Sequence, residues 1–146
     1  TAEYLEVSRS LFTANGDSPI NANCGLAVIR NSSFTANGST STATVLQNFA
    51  RSLVIQSTVN GNTGRGLSVA MYVQASIVSG NAAGDLSNSG IYLSGGSNLI
   101  GAPGSASILG ITTGNLLGVS PGLSSLGAHG GPTPTLATLP GSAAID

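Results

Sequence analysis

The amino-acid sequence predicts an all-β fold, a parallel β-solenoid of about four to six coils with roughly 19–25 residues in each coil. Three observations lead to this prediction. A nine-residue pattern recurs along the first half of the chain, and Gly, Ser, Thr and Asn residues separate short runs of Val, Ile and Leu, which favour strands. Charged residues make up only 6% of the sequence, against roughly a quarter in an average globular protein.

Four nine-residue windows have the same residue types at fixed places. They read VSRSLFTAN from Val7, IRNSSFTAN from Ile29, VIQSTVNGN from Val54 and VQASIVSGN from Val73, and they start 22, 25 and 19 residues apart. Each window begins with Val or Ile. The fourth place holds Ser10, Ser32, Ser57 and Ser76, the sixth place Phe12, Phe34, Val59 and Val78, and the ninth place Asn15, Asn37, Asn62 and Asn81. Such a repeat indicates one supersecondary unit per coil.

The spacing within a window predicts which side chains face the interior. Alternate residues of a strand face the same side, so the fourth and sixth residues share a side and the first residue lies on the other. A bend must therefore fall around the second and third places, where Asn31 is suitable because Asn tolerates the left-handed conformation. Stacking coils about 4.8 Å apart would pair the strands in parallel, with Phe12 over Phe34 and Val59 over Val78 in the interior.

The ninth-place asparagines allow two interpretations. A row of amides on one face of a solenoid could bind a ligand. Alternatively, the amides hydrogen bond to one another from coil to coil, as stacked Asn side chains do in cross-β structures. We expect such a ladder. The stretch FTANG, which occurs at Phe12–Gly16 and at Phe34–Gly38, would then supply one interior residue, one ladder residue and a turn.

The pattern weakens after residue 101 and divides the chain into two parts. We expect solenoid coils over residues 1–101, and irregular last coils with a Pro- and Gly-rich capping segment over residues 102–146. A fifth repeat begins at Ile91 with Ser94 in the fourth place, but Gly96 interrupts the sixth place. The last segment contains Pro132, Pro134 and Pro140. Because proline donates no amide hydrogen bond, this segment should run along the side of the solenoid or cover its end.

The repeat window resembles the V-x-N-S-T-F-S-G-N units of bacterial right-handed parallel β-helix proteins, which are related in fold to pectate lyases. The stretches NLIG at Asn98–Gly101, NLLG at Asn115–Gly118 and GGPTPTLATLPGSAAID at Gly130–Asp146 are similar to the C-terminal signature of choice-of-anchor Q domain proteins. In those large secreted bacterial proteins the signature precedes a cell-surface sorting signal. The resemblance implies a right-handed β-helix that is extracellular or at a bacterial cell surface. It carries over no catalytic residues.

Composition argues against several classes of partner. The formal net charge is −1, and the basic residues are Arg9, Arg30, Arg51 and Arg65. Nucleic-acid binding requires clustered positive charge, so we expect no nucleic-acid partner. No run of about 18 apolar residues occurs, so the sequence predicts no membrane span. The single cysteine, Cys24, is expected to be a buried apolar residue, and the single histidine, His129, a surface turn residue rather than a metal ligand.

The acidic residues do not predict a catalytic centre. Many parallel β-helices cleave acidic polysaccharides, using carboxylates that hold Ca²⁺ or that flank the scissile bond. The five acids are Glu3, Glu6, Asp17, Asp85 and Asp146. Asp17 and Asp85 lie in the first and fourth repeats, which places them roughly 14 Å or more apart along the axis. We therefore expect no catalytic, metal or cofactor site and no enzymatic activity.

The sequence is best interpreted as a structural or scaffold module of a bacterial surface protein. The chain begins with AEYLEV in mid-pattern, so the first coil would expose unpaired strand edges, and head-to-tail stacking of copies would produce an open filament. The alternative is a polysaccharide-binding or pectate-lyase-like module with a cell-surface glycan as partner. Tyr72 and Tyr92 could share a column for such a ligand, or fill interior or edge positions.

Overall fold

The computed structural model describes residues 3–40, 44–48, 51–68 and 71–145, and it confirms the all-β solenoid. Within these ranges, parallel strands from successive coils form three sheets. Sheet A contains β1 (Tyr4–Ser8), β4 (Leu26–Arg30), β7 (Arg51–Ile55), β10 (Met71–Gln74), β12 (Ile91–Gly95) and β14 (Ser107–Ile111). Sheet B contains β2 (Leu11–Thr13), β5 (Ser33–Thr35), β8 (Thr58–Asn60), β11 (Ile77–Ser79), β13 (Leu99–Ile100) and β15 (Leu116–Leu117). Sheet C contains β3 (Ile20–Ala22), β6 (Thr44–Asn48) and β9 (Arg65–Leu67).

The sixth-place residues form one interior column of sheet B. The parallel register pairs Phe12 with Phe34, Phe34 with Val59 and Val59 with Val78, and the column continues through Ile100 and Leu117. The rings of Phe12 and Phe34 stack with centroids 4.7 Å apart and planes inclined by 3°. Because each coil buries its apolar face against the next, the core extends along the axis.

Each window turns twice through the left-handed backbone region. The first turn lies at the third place, within the region where the alternation predicted a bend. Its residues, Arg9, Asn31, Gln56 and Ala75, have φ values of 48°, 49°, 48° and 47°. The second turn lies at the eighth place, where Ala14 and Ala36 have φ values of 55° and 54° and two glycines follow in the next coils. Two turns of the same hand per window direct the chain from sheet A to sheet B and onward to sheet C.

The fifth coil begins in a different register from the one that the sequence pattern indicated. Val73 pairs with Ser94 and Val78 pairs with Ile100, so Ser94 lies in the first place and Asn98 in the fourth. The expected alignment, with Ser94 fourth and Gly96 sixth, is therefore wrong. Ile91 lies three residues before the first place, at the start of β12, and one additional residue in the corner after β12 then puts Asn98 instead of Ser97 in the fourth place.

Sheet C ends before the other two sheets. After β9, the described residues continue it only through an isolated bridge between Leu67 and Leu86. The later coils are shorter: the sheet A pairing joins Ile91 to Ser107, whereas earlier in the chain it joins Leu26 to Arg51. The coils therefore lose their third strand toward the C-terminal end of the stack.

The chain leaves the stack after β15 and forms an antiparallel hairpin of β16 (Leu123–Gly127) and β17 (Thr135–Thr138). The hydroxyl of Thr135 lies 3.2 Å from that of Ser33 on the outer face of sheet B. Ala143 and Ala144 lie beside Leu99 and other residues of later coils. The hairpin therefore runs back along the side of the solenoid, and Leu117 in the last coil remains 46% exposed.

Candidate functional site

The fourth-place serines form a ladder along the corner between sheets A and B. The backbone N–H of each serine donates to the Oγ of the serine in the next coil, at 3.2 Å from Ser10 to Ser32, 3.2 Å from Ser32 to Ser57 and 3.1 Å from Ser57 to Ser76. Each hydroxyl also donates to the carbonyl oxygen two residues earlier, as that of Ser57 does to Ile55 at 2.9 Å. The hydroxyl thus satisfies two backbone groups at the tight bend.

Asparagines continue this serine ladder through the last two coils. The N–H of Ser76 donates to Oδ1 of Asn98 at 3.2 Å, and the N–H of Asn98 donates to Oδ1 of Asn115 at 3.0 Å. The pattern of serines does not identify these two positions, because asparagine replaces serine there. The side-chain oxygen still accepts a hydrogen bond from the backbone N–H of the preceding coil. The repeated stretches Asn98–Ile100 and Asn115–Leu117 were the available signal, since each places Asn before two aliphatic residues.

Alanine substitutions at Ser52 and Ser57 are expected to change stability in opposite directions, although both side chains are buried. Ser57→Ala leaves the N–H of Ser32 without its acceptor, and we expect a loss of about 1–3 kcal/mol. Ser52 faces the interior between Ala27 and Met71, and its hydroxyl has no hydrogen-bond partner within the described ranges. Ser52→Ala should therefore raise the free energy of unfolding by about 1 kcal/mol. Urea unfolding of both variants measures this, and equal losses would contradict it.

The ninth-place asparagines form a second ladder, the asparagine ladder, with bonds of both backbone and side chain. The N–H and Nδ2 of each residue donate to Oδ1 of the next, at 3.2 and 2.7 Å from Asn15 to Asn37, 2.9 and 2.9 Å from Asn37 to Asn62, and 3.3 and 2.7 Å from Asn62 to Asn81. Nδ2 also donates to the sixth-place carbonyl of the preceding coil, as Asn62 does to Phe34 at 3.1 Å. The three inner amides are thus engaged within the stack.

Asp85 terminates the asparagine ladder in the fourth coil. Its Oδ1 accepts from the N–H of Asn81 at 3.0 Å and from Nδ2 of Asn81 at 2.8 Å, and its Oδ2 accepts from the N–H of Ala102 at 2.6 Å. The side chain is completely buried. Burial raises the pKa of Asp85, although these hydrogen bonds act to lower it. A carboxylate suits this end because it supplies acceptors without donors.

The remaining acids and the histidine do not assemble into a reaction centre within the described ranges. No group of three or more His, Cys, Asp or Glu side chains there is placed to hold a metal ion. Asp17 is exposed and accepts from the N–H of Ser18, and it lies three coils from Asp85. His129 is exposed in the hairpin, where its Nε2 lies 3.2 Å from Oγ of Ser124. The sequence supplies no carboxylate between residues 86 and 145 to orient this pair.

Tyr72, Tyr92 and Cys24 have different environments from one another. Tyr72 pairs with Leu93 in sheet A and lies half-buried on the outer face, so it does not share a column with Tyr92. Tyr92 is buried, its hydroxyl donates to the carbonyl of Leu67 at 3.1 Å and accepts from the N–H of Ser87 at 2.8 Å, and burial raises its pKa. Cys24 is buried, with Sγ 3.4 Å from the carbonyl oxygen of Leu26.

A groove of about 320 Å³ lies between the side of sheet B and the C-terminal segment. Its floor includes the fifth-place side chains of Ile77, Leu99 and Leu116, and its wall is Ala143 and Ala144. Every residue that lines the groove is uncharged, so it offers no group for acid–base chemistry. No helix in the described part of the chain is long and apolar enough to cross a membrane.

A family model described as right handed beta helix region matches residues 2–102 of the chain. This match includes the four windows and the fifth coil, and it agrees with the parallel stacking of sheets A, B and C. No curated protein and no solved structure matches the chain.

Proposed function

The chain belongs to the right-handed beta helix family, and we propose that within this family it is a structural solenoid module rather than an enzyme. One observation carries this proposal. The polar side chains that recur in every window hydrogen bond to neighbouring coils, and the inner asparagines Asn37, Asn62 and Asn81 are 0%, 1% and 6% exposed. A repeated residue that is buried and bonded within the stack has no donor left for a ligand.

The proposed location is the surface or the surroundings of a bacterial cell. The similarity of Gly130–Asp146 to the choice-of-anchor Q signature supports this location. The composition supports the scaffold role that goes with this location. Only 6% of the residues are charged, and backbone and side-chain ladders hold the coils together. Immunogold labelling of thin sections of the source bacterium tests the proposal, and label confined to the cytoplasm would contradict it.

The proposed module associates end to end into filaments. Within the described ranges, β1 and β14 are the outermost strands of sheet A, and β2 and β15 are those of sheet B. An outermost strand presents backbone N–H and C=O groups that another chain can pair with, and a head-to-tail contact of this kind repeats without closing. Low charge supports the association because little repulsion opposes it.

Negative-stain electron microscopy with size-exclusion chromatography tests the end-to-end association. Unbranched filaments are the expected result, and discrete short rods at monomer mass would contradict it. Leu117→Lys should abolish the filaments because it adds a charge to the last coil. Leu139→Lys is the matched control, since Leu139 is as exposed as Leu117, at 45% against 46%, but lies at the end of the lateral hairpin.

A polysaccharide panel tests the structural role itself against the alternative function. Purified protein is incubated with pectin, alginate and related polymers, with and without Ca²⁺, and new unsaturated or reducing ends are measured. The structural proposal predicts no release above the buffer control. Release that follows the protein through purification would establish the alternative, a polysaccharide-degrading module.

A further inference from the structure

Four aliphatic side chains on the outer face of sheet A are more than half exposed. They are Ile91 and Leu93 on β12, and Leu109 and Ile111 on β14, with exposed fractions of 56%, 53%, 52% and 61%. The parallel register places Leu93 directly beside Leu109, so the four form one continuous surface, called here the aliphatic patch. Contiguous exposed apolar surface of this kind is typical of an interaction site.

Charge divides the outer face of sheet A into two halves. On the first three coils this face carries Glu6, Arg30 and Arg51, which lie in register with the exposed positions of the later strands. In contrast, the sequence contains no Asp, Glu, Lys or Arg from residue 86 to residue 145. The aliphatic patch therefore has no charged neighbour along its own part of the chain to discourage another apolar surface.

The hairpin covers part of the outer face of sheet B, whereas the aliphatic patch on the outer face of sheet A is exposed. The hairpin of β16 and β17 lies along sheet B and contacts it through Thr135 and Ser33. The outward-facing Ser33 and Thr35 are only 8% exposed. The aliphatic patch on sheet A remains exposed. An apolar sheet face is normally buried against a second layer, and within the described ranges the four side chains of the patch remain more than half exposed.

We propose that the aliphatic patch packs against the same patch of a second copy, which gives a side-by-side dimer with two-fold symmetry. The patch carries no charge and adjoins the half-buried Tyr72 beside Leu93. Such a surface is matched by another uncharged aliphatic sheet face, and this chain provides one. In a two-fold arrangement each patch meets itself. The sheets would pack face to face, about 10 Å apart. The two copies extend in opposite directions, so Glu6, Arg30 and Arg51 of each stay outside the contact and remain in water.

Leu109→Glu tests this dimer against Tyr4→Glu as a matched control. Tyr4 lies on the same face and is equally exposed, at 52%, but in the charged half. Both substitutions are made in the Leu117→Lys protein, in which end-to-end association is blocked, and sedimentation equilibrium over a concentration series should give a dimer for this parent and for its Tyr4→Glu variant. For Leu109→Glu the dissociation constant should rise about 100-fold or more, because a charge would be buried against its symmetry mate. A Leu117→Lys parent that is monomeric at all concentrations, or equal effects of the two added substitutions, would overturn the proposal.

Cysteine cross-linking provides a second measurement that does not depend on a disruptive charge. Leu109→Cys should form a covalent dimer under mild oxidation, whereas Tyr4→Cys should not, and the buried Cys24 is common to both. The lateral dimer and the end-to-end filament are independent of each other. Filaments that persist in Leu109→Glu, without cross-linking of Leu109→Cys, would overturn the dimer and leave the structural function intact. Cross-linked dimers without filaments would overturn end-to-end association and support the dimer.

Discussion

Asn62→Ala is expected to lower the free energy of unfolding by about 3–6 kcal/mol, because it removes hydrogen bonds that join the third coil to the second and to the fourth. Oδ1 of Asn62 accepts from the N–H and Nδ2 of Asn37, while Nδ2 of Asn62 donates to Oδ1 of Asn81 and to the carbonyl of Phe34. All of these groups are buried, so water cannot replace the lost partner. Urea unfolding followed by far-ultraviolet circular dichroism measures the loss, provided the slope with denaturant is unchanged.

Asn15→Ala is the matched control for this substitution. Asn15 is the first member of the same ladder, but it is exposed, and it donates to Asn37 without accepting from another asparagine of the described chain. Its loss should cost about 1 kcal/mol or less, because water can satisfy the groups that remain. Equal effects of Asn15→Ala and Asn62→Ala would mean that the ladder contributes through local turn geometry and not through bonds between coils.

The repeat residues could be placed from the sequence because their positions follow from alternation and stacking alone. Phe12 and Phe34 occupy the same place in adjacent coils, on the side of the strand that also carries the fourth-place serines, and this predicted that they stack in the interior. The first place lies on the opposite side, which predicted the bend near Asn31. These conclusions require only the two-residue period of a strand and identical residues in adjacent coils. They hold wherever the residue types repeat.

The later coils could not be placed in the same way, because there the same role passes to a different residue type. Asn98 replaces serine as the acceptor for Ser76, and Asp85 replaces asparagine as the acceptor for Asn81. A pattern of identities overlooks both substitutions, although an amide or carboxylate oxygen fulfils the same hydrogen-bonding role. The antiparallel pairing of Leu126 with Leu136 was also not predictable, since it depends on the closure of the loop over residues 128–134, which no local pattern specifies.

Asp85→Ala is expected to destabilise the protein by about 2–5 kcal/mol, because it removes the acceptor of three hydrogen bonds at a completely buried carboxyl group. The N–H of Asn81 loses its acceptor, and Nδ2 of Asn81 keeps only the carbonyls of Val59 and Ser79. The N–H of Ala102 loses the bond that joins the fifth coil to the fourth. Asp85→Asn is the matched variant. Its amide oxygen can still accept from Asn81, but its NH₂ group would face the N–H of Ala102, so a smaller loss is expected. A loss for Asp85→Ala below that for Asp85→Asn in urea unfolding would contradict this account.

The stability that depends on Asp85 should also change with pH in a defined direction. Burial raises the pKa of Asp85, so the folded protein binds this proton more tightly than the unfolded chain does. This contribution is fully present below the ordinary aspartate pKa and is lost as the pH rises through the higher pKa of the folded state. The unfolding midpoint of the wild type should therefore fall relative to that of Asp85→Asn as the pH rises across this window, and the difference should be constant above it.

The comparison with Asp85→Asn isolates Asp85, because every other acid is common to both proteins. A difference of the opposite sign would show that the donors of Asn81 and Ala102 outweigh burial and hold the carboxylate ionised.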